Sequence, residues 1–162
     1  MQKFGFGHAS GDDWQTATLA CAAQIEPPKG ANLGFVYITD ALASDLENIT
    51  TVLTQETGVA EWVGTIGVGI CATGKEYFDE RAVAAMVGCF PDGSFSIIDS
   101  SEDKRMGFAA QGDPLATRNE VYFAVVHADP RDPEMMQRVP ELAEEAGCFL
   151  VGGLASSRGT YT

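Results

Sequence analysis

Histidine, paired cysteine and positive charge are all scarce in this chain of 162 residues. It has two histidines, His8 and His127, and four cysteines, none of which forms a Cys-x-x-Cys pair. Metal sites in short motifs need closely spaced Cys and His ligands, so we expect no metal site. The 10 Lys and Arg are outnumbered by 23 Asp and Glu, which gives a net charge of −13. This charge argues against partners such as nucleic acid or an anionic membrane surface.

Long apolar runs are missing as well. No stretch approaches the roughly 18 uninterrupted apolar residues of a membrane-spanning helix. The N-terminus, MQKFGFGHASGDD, lacks the apolar segment of a secretory signal. We therefore expect a cytoplasmic protein with reduced thiols. The length is that of about one domain, and we predict a single α/β domain over residues 1–162.

The chain does contain an approximate internal repeat, over residues 33–74 and 120–157. Each copy reads as an apolar strand, a polar segment, a helix-like stretch, a second apolar strand and a small-residue turn. The spacing is nearly constant, since Asp129 follows Asp40 by 89 positions and Gly152 follows Gly64 by 88. A repeat of this kind predicts duplicated strand–helix–strand units.

The remaining segments complete the predicted fold class. Pro91-Asp92-Gly93 lies between the apolar stretches 84–90 and 94–98, a pattern typical of an antiparallel hairpin. The prediction is an α/β fold with duplicated strand–helix–strand units on a mixed, mostly parallel sheet with an antiparallel hairpin insertion. Residues 100–119 are polar and aperiodic, which predicts a long connection. The strand over residues 148–151 lacks a crossover partner, so we expect the chain to be the N-terminal part of a longer protein.

Helix boundaries are predicted from local signals. Ser10 or Asp12 is expected to cap the first helix, and Ser44 and Glu47 form a capping-box pattern at the second. Gly58 is a plausible left-handed stop for that second helix.

Small-residue turns after the strands are the predicted ligand site, because ligands in this fold class bind where strands end. One turn covers residues 67–74 and the other covers 152–157, and the end of the first strand lies nearby. The same glycines and hydroxyls also suit plain turn geometry and helix capping. The candidate ligand-binding residues are His8, Ser10, Gly67, Gly69, Cys71, Thr73, Gly74, Gly152, Gly153 and Ser156.

Two sharper chemical interpretations concern the first turn. Its Gly67-x-Gly69 pattern suggests a dinucleotide site, but such a site needs a helix N-terminus behind the glycines. The following segment, residues 75–80, carries three carboxylates instead, so we expect no cofactor. Cys71 could act as a nucleophile if His8 or His127 lay within hydrogen-bond reach, or it could be a structural thiol.

Several runs of small and apolar residues carry a family resemblance. The opening GFGHASGDDW, the strand LGFVYITDA, the run VGTIGVGICATG, the strand MVGCF and the late CFLVGGLAS resemble the N-terminal half of the FIST sensory domain. The resemblance implies a bacterial cytoplasmic signal-input module that binds a small ligand such as an amino acid. It also implies continuation into a C-terminal FIST domain of the same chain, and it brings no catalytic residues.

The leading functional hypothesis is therefore a non-catalytic, small-ligand-binding sensory module that passes its signal to a downstream signalling protein. Two alternatives stay open, an enzyme that uses Cys71 and a structural or protein-interaction domain. An enzyme predicts an activated thiol, whereas an interaction domain predicts an exposed apolar patch.

Overall fold

The structure is a computed structural model that describes residues 4–97, 123–131, 139–141, 143–144 and 148–159. The described chain divides into two compact units. Residues 4–90 form the first unit together with residues 156–159, which return to it, and the described part of 91–155 forms the second. The predicted connection over residues 100–119 and most of the helix expected after Asp132 lie outside the described residues.

The first unit is built on a mixed sheet of four strands. In chain order they are β1 (Phe4–Ser10), β2 (Leu33–Thr39), β3 (Trp62–Gly67) and β6 (Ala82–Gly88). Their spatial order is β1-β6-β2-β3. Strand β6 is antiparallel to both β1 and β2, while β2 and β3 are parallel. Strands β1, β2 and β3 therefore all run in the same direction.

The predicted mixed α/β architecture is confirmed, but the expectation of a mostly parallel sheet is wrong for this unit. Two of its three strand pairs are antiparallel. The reason lies in the connection to β6, which comes from a short hairpin and not from a crossover helix. A parallel strand needs a crossover that carries the chain back to the opposite edge of the sheet, and a hairpin does not do this, so β6 runs antiparallel to β2.

Two helices cover one face of this sheet, α1 (Trp14–Ala22) and α2 (Leu46–Thr57). Residues at helical spacing face the sheet, and one cluster joins both helices to the strands. Its members are at most 8 % exposed, and burial of this apolar surface is the main force that forms the unit. They include Ala17, Cys21, Ile49, Leu53, Val36, Ile38, Val83 and Val87.

The helix boundaries differ in detail from those predicted. The cap of α1 is Asp13, whose side chain accepts a hydrogen bond from the Thr16 amide at 2.7 Å. A 3-10 helix, Asp40–Asp45, leads into α2, and the Ser44 hydroxyl donates to the Asp45 carboxylate. The predicted capping box is therefore wrong, because the 3-10 turn shifts the start of α2 beyond Ser44. The predicted stop at Gly58 is confirmed by its left-handed φ of 74°.

The glycine-rich segment after β3 is a hairpin and not one long turn. Strand β4 (Gly69–Ala72) pairs antiparallel with β5 (Lys75–Phe78), and the tight turn is Thr73-Gly74, with φ of 75° at Gly74. An antiparallel hairpin insertion is thus present, but at 69–78. The return strand predicted over 94–98 is wrong where it can be checked, since residues 94–97 form no strand.

The second unit contains a parallel pair, β7 (Phe123–Ala128) and β8 (Phe149–Leu154). Gly152 and Gly153 lie inside β8, so the turn predicted to begin at residue 152 is wrong.

A Cβ on Gly152 would lie 1.9 Å from the Val126 carbonyl oxygen on β7. In the first unit, a Cβ on Gly64 of β3 would likewise lie 1.7 Å from the Val36 carbonyl oxygen on β2. Each parallel pair therefore requires glycine at this position.

Candidate functional site

The carboxyl-terminal ends of three strands meet at one edge of the first unit's sheet. Because β1, β2 and β3 share one direction, their last residues Ser10, Thr39 and Gly67 lie along that edge. Ligands of open α/β sheets bind outside such carboxyl ends. The side chains at this edge are therefore the candidate functional site.

Thr39 fixes the shape of this edge. The residue is 1 % exposed, and its hydroxyl donates to the Glu80 carbonyl at 2.6 Å and accepts from the Ala82 amide at 3.0 Å. The buried hydroxyl therefore both donates and accepts a hydrogen bond, as buried polar groups generally do. The end of β2 is thus tied to the start of β6, and Asp40 directly beyond it is held in place.

Asp40 and Arg158 form the central ion pair of the site. The Arg158 Nε and Nη2 atoms donate to the two Asp40 carboxylate oxygens, each at 2.8 Å, and the Arg158 amide donates at 2.9 Å. The Asp40 side chain is 6 % exposed, whereas that of Arg158 is 57 % exposed. This two-pronged geometry is the strong form of a charge-assisted hydrogen bond. It lowers the pKa of Asp40 to about 2, chiefly through the Arg158 side-chain hydrogen bonds.

Asp79 supplies a second carboxylate to the same guanidinium. Arg158 Nη1 donates to Asp79 at 2.6 Å, and the Asp79 side chain is 55 % exposed. Asp79 also has a φ of 55°, which is unusual for a residue other than glycine. The two hydrogen-bonded carboxylates raise the pKa of Arg158 further above its ordinary value. The edge therefore carries two negative charges around one positive charge.

Ser156 joins this group from the returning segment. Its hydroxyl accepts a hydrogen bond from the Val68 amide at 3.2 Å, just beyond the end of β3. A Cβ on Gly67 would lie 3.3 Å from the same hydroxyl oxygen, so the small residue leaves room for it. Two residues predicted for the site from sequence, Gly67 and Ser156, are thus brought together.

His8 contacts Tyr77 of the β4–β5 hairpin. Its Nδ1 atom lies 2.7 Å from the Tyr77 hydroxyl, and the two rings meet edge to face with centroids 5.7 Å apart. Tyr77 and Ile70 pack against Ala82 and Ala84 of β6. Burial raises the pKa of Tyr77, so the phenol stays protonated as a hydrogen-bonding partner for the imidazole.

Cys71 does not share this face. In the hairpin it is paired with Glu76, whereas the neighbouring pair of Ile70 and Tyr77 faces the sheet. Successive side chains alternate between the two faces of a strand, so exposed Cys71 points away from the face on which His8 meets Tyr77. Cys21, by contrast, is fully buried in the helix-covered core, where desolvation raises its pKa to about 12.

Within the first unit, the other predicted site residues have no polar contact with the Asp40–Arg158 pair. Thr73 and Gly74 form the tip of the hairpin, four and five residues beyond Gly69, and four residues correspond to roughly 13 Å along an extended strand. A Cβ on Gly69 would lie 2.9 Å from the Tyr77 carbonyl oxygen of the same hairpin, and Ser10 is exposed at the end of β1. Gly152 and Gly153 are strand residues of the second unit.

Sequence reasoning missed the charged residues of this site. In the sequence Asp40 serves only to mark the spacing of the repeat, and no pattern singles out Asp79 or Arg158 as a ligand group. One available signal was the placement of a Thr-Asp pair directly after an apolar strand, where parallel strand ends carry functional groups. No local pattern links Asp40 to Arg158, which lies 118 positions away.

Among the described residues there is neither a group of metal ligands nor a helix that could span a membrane. Within the part of the chain that the structure covers, no three His, Cys, Asp or Glu side chains are grouped as metal ligands. Over the same residues, none of the helices is both long and apolar enough to cross a bilayer.

The ion pair predicts a specific acid dependence of stability. Its Asp40 pKa of about 2 lies below the ordinary 3.8, so the pair stabilises the first unit fully above about pH 4. That contribution disappears as the pH falls through about 2, when Asp40 becomes protonated. The wild type should therefore lose its stability advantage over Asp40→Asn between these pH values, as measured by urea unfolding followed through Trp14 and Trp62 fluorescence. An advantage that is constant down to about pH 2 would contradict the assigned pairing.

Comparison with known proteins identifies the family. A search of curated proteins found no match. A family model, the FIST N domain, matches residues 32–162. The match includes β2, β3, the hairpin, β6 and both Asp40 and Arg158, so it covers the whole charged edge of the site. Since this model spans most of the chain, the protein belongs to the FIST N domain family, a family of sensory domains in signal transduction.

Proposed function

We propose that the first unit is a non-catalytic sensory input module that binds a small polar ligand, such as an amino acid, at the carboxyl-terminal edge of its sheet. The observation that carries the proposal is the convergence of Asp40, Asp79, Arg158 and Ser156 beyond the ends of β2 and β3. Family membership supports the sensory role. The absence of a Cys71–His8 contact favours binding over thiol chemistry.

The charged groups at this edge complement the ammonium and the carboxylate of a free amino acid. A free amino acid presents one ammonium and one carboxylate, so its site needs groups of both signs. Asp79 and Arg158 keep more than half of their side-chain surface exposed, which leaves both accessible to a ligand. The Ser156 hydroxyl adds a neutral hydrogen-bonding group of the kind that fixes ligand orientation in small-molecule sites.

The proposal extends to the cellular setting of the module. We propose a bacterial cytoplasmic protein in which a C-terminal FIST domain of the same chain and a downstream signalling protein receive the signal. The two parallel pairs with equivalent glycines, Gly64 and Gly152, support an origin of the chain in duplicated strand–helix–strand units. A signal arises only if the ligand favours one of two conformations.

A thermal-shift screen tests ligand binding directly. A ligand at about one hundred times its Kd should stabilise the folded state by about 2.7 kcal/mol, which raises the melting temperature by several degrees. The screen uses the twenty common amino acids and small organic acids. Asp79→Asn should abolish the shift, because it removes the accessible carboxylate, and Asp92→Asn should retain it, because Asp92 is an exposed residue outside the site. No shift with any compound would count against the proposed function.

A further inference from the structure

The segment Ser156-Ser157-Arg158-Gly159, here named the strap, crosses the edge at which ligand binding is proposed. It reaches β3 through the Ser156 hydroxyl, which accepts from the Val68 amide. It reaches β2 through Arg158, whose guanidinium and amide both donate to Asp40. The strap therefore bridges the carboxyl ends of the two parallel strands.

The bonds of Ser156 and Arg158 to the strand ends involve side chains and are not part of strand pairing. None of its four residues belongs to a strand or a helix. The bond to Val68 uses the Ser156 hydroxyl, and the bonds from Arg158 to the end of β2 use the Asp40 carboxylate. Side-chain contacts of this kind can break without disturbing the sheet, whose own ladders do not include the strap.

The two carboxylates bound by Arg158 differ in burial. Asp40 is the buried partner, whereas Arg158 and Asp79 are both more than half exposed. Exposed ion pairs are screened by solvent and contribute little, so the bond to Asp79 is secondary. A buried carboxylate that loses its charged partner is destabilised, so the bond to Asp40 keeps the strap closed.

We propose that the strap is a releasable latch, held closed by the Arg158–Asp40 pair, whose opening uncovers the ends of β2 and β3. In the closed state Arg158 covers the Asp40 carboxylate, and the Val68 amide is occupied by Ser156. In the open state both groups face solvent. The latch gives the proposed sensory function a two-state element that a ligand can bias, but its existence is tested without any ligand.

Trypsin provides the test, since it cleaves after arginine and needs an extended, accessible segment. In the full chain, cleavage at Arg158 releases the peptide that begins at Gly159, which mass spectrometry quantifies. Cleavage of a closed segment tracks the population of its open form. Asp40→Asn removes the charged acceptor and should raise the cleavage rate at Arg158 about tenfold, given the strength of hydrogen bonds to charged groups. Asp79→Asn should raise it only about twofold to threefold.

Two controls separate opening of the latch from unfolding. Asp129→Asn removes an exposed pair with Arg131 in the second unit and should leave the cleavage rate at Arg158 unchanged. Cleavage at Arg81, just before β6, is the internal reference, since its carbonyl oxygen accepts from the Gly11 amide and the segment is folded. A variant that unfolds accelerates cleavage at both arginines, whereas an opened latch accelerates it at Arg158 alone.

Hydrogen exchange gives a second measurement that does not depend on the protease. The Val68 amide should exchange faster in Asp40→Asn and in Ser156→Ala, whereas amides within β2 should keep their wild-type rates. The proposal is overturned if folded Asp40→Asn is cleaved at Arg158 at the wild-type rate. It is also overturned if the wild type is cleaved there as fast as an unstructured peptide. Neither outcome depends on the amino acid screen, so the latch and the ligand can fail separately.

Discussion

Replacing Gly64 with alanine should severely destabilise the first unit, with a loss of more than about 4 kcal/mol in the free energy of unfolding. The added Cβ would lie 1.7 Å from the Val36 carbonyl oxygen and 2.7 Å from its carbonyl carbon. Both atoms are backbone, so no side-chain rotation relieves the overlap. The alternative is to separate β2 from β3, which breaks their parallel ladder and moves the ends of both strands beneath the strap.

Urea unfolding followed by tryptophan fluorescence measures this effect, because Trp14 and Trp62 both belong to the first unit. Gly58→Ala is the matched control. Gly58 has a φ of 74°, and a Cβ there would meet no atom within 4 Å, so its replacement should cost only about 1 kcal/mol from backbone strain. Equal losses in the two variants would show that the close approach at Gly64 is not rigid.

Replacing Leu53 with alanine should lower the free energy of unfolding by about 3 kcal/mol. Leu53 is fully buried on the sheet-facing side of α2, in the cluster that also contains Ile38 and Val83. Truncation removes apolar contacts and leaves a cavity between helix and sheet that the rigid strands cannot close. The loss appears as a lower urea midpoint with an unchanged slope, if the variant still unfolds in one step.

The control for this variant is another leucine on a helix of the same unit. Leu19 on α1 is 51 % exposed, so Leu19→Ala should change stability by less than about 0.5 kcal/mol. Both variants replace leucine with alanine on a helix, so a difference between their stability losses reports the effect of burial. A similar loss in both variants would mean that α2 does not pack on the sheet in solution as it does in the structure.

The elements themselves were predictable because each depends on neighbouring residues. The apolar run at β2, the left-handed stop at Gly58 and the strand at β3 all follow from local patterns. The hairpin at 69–78 was missed because its four-residue strands are too short to show a period, and its glycines suggested a continuous turn. The start of α2 was misplaced because a 3-10 turn, which local capping signals do not specify, precedes it.

The residues of the site also divide into those that local patterns predict and those that they do not. Gly67 and Ser156 were predicted because small residues after apolar strands are visible in the sequence, and the structure places them side by side. Arg158 was not predicted, because its partner Asp40 is remote in sequence. The sequence leaves Cys71 and His8 open as a catalytic pair, whereas the alternation of side chains along β4 puts them on different faces.

The sequence alone determined the class of this protein, since composition, strand and helix periodicity and small-residue runs are properties of neighbouring positions. It predicted an α/β chain without a spanning helix, and the FIST family. Only the tertiary structure decided the strand order β1-β6-β2-β3 and the joining of Asp40, Asp79 and Arg158 at one edge. Those features depend on which distant segments pair, and that is decided by the packing of the whole unit and not by any local pattern.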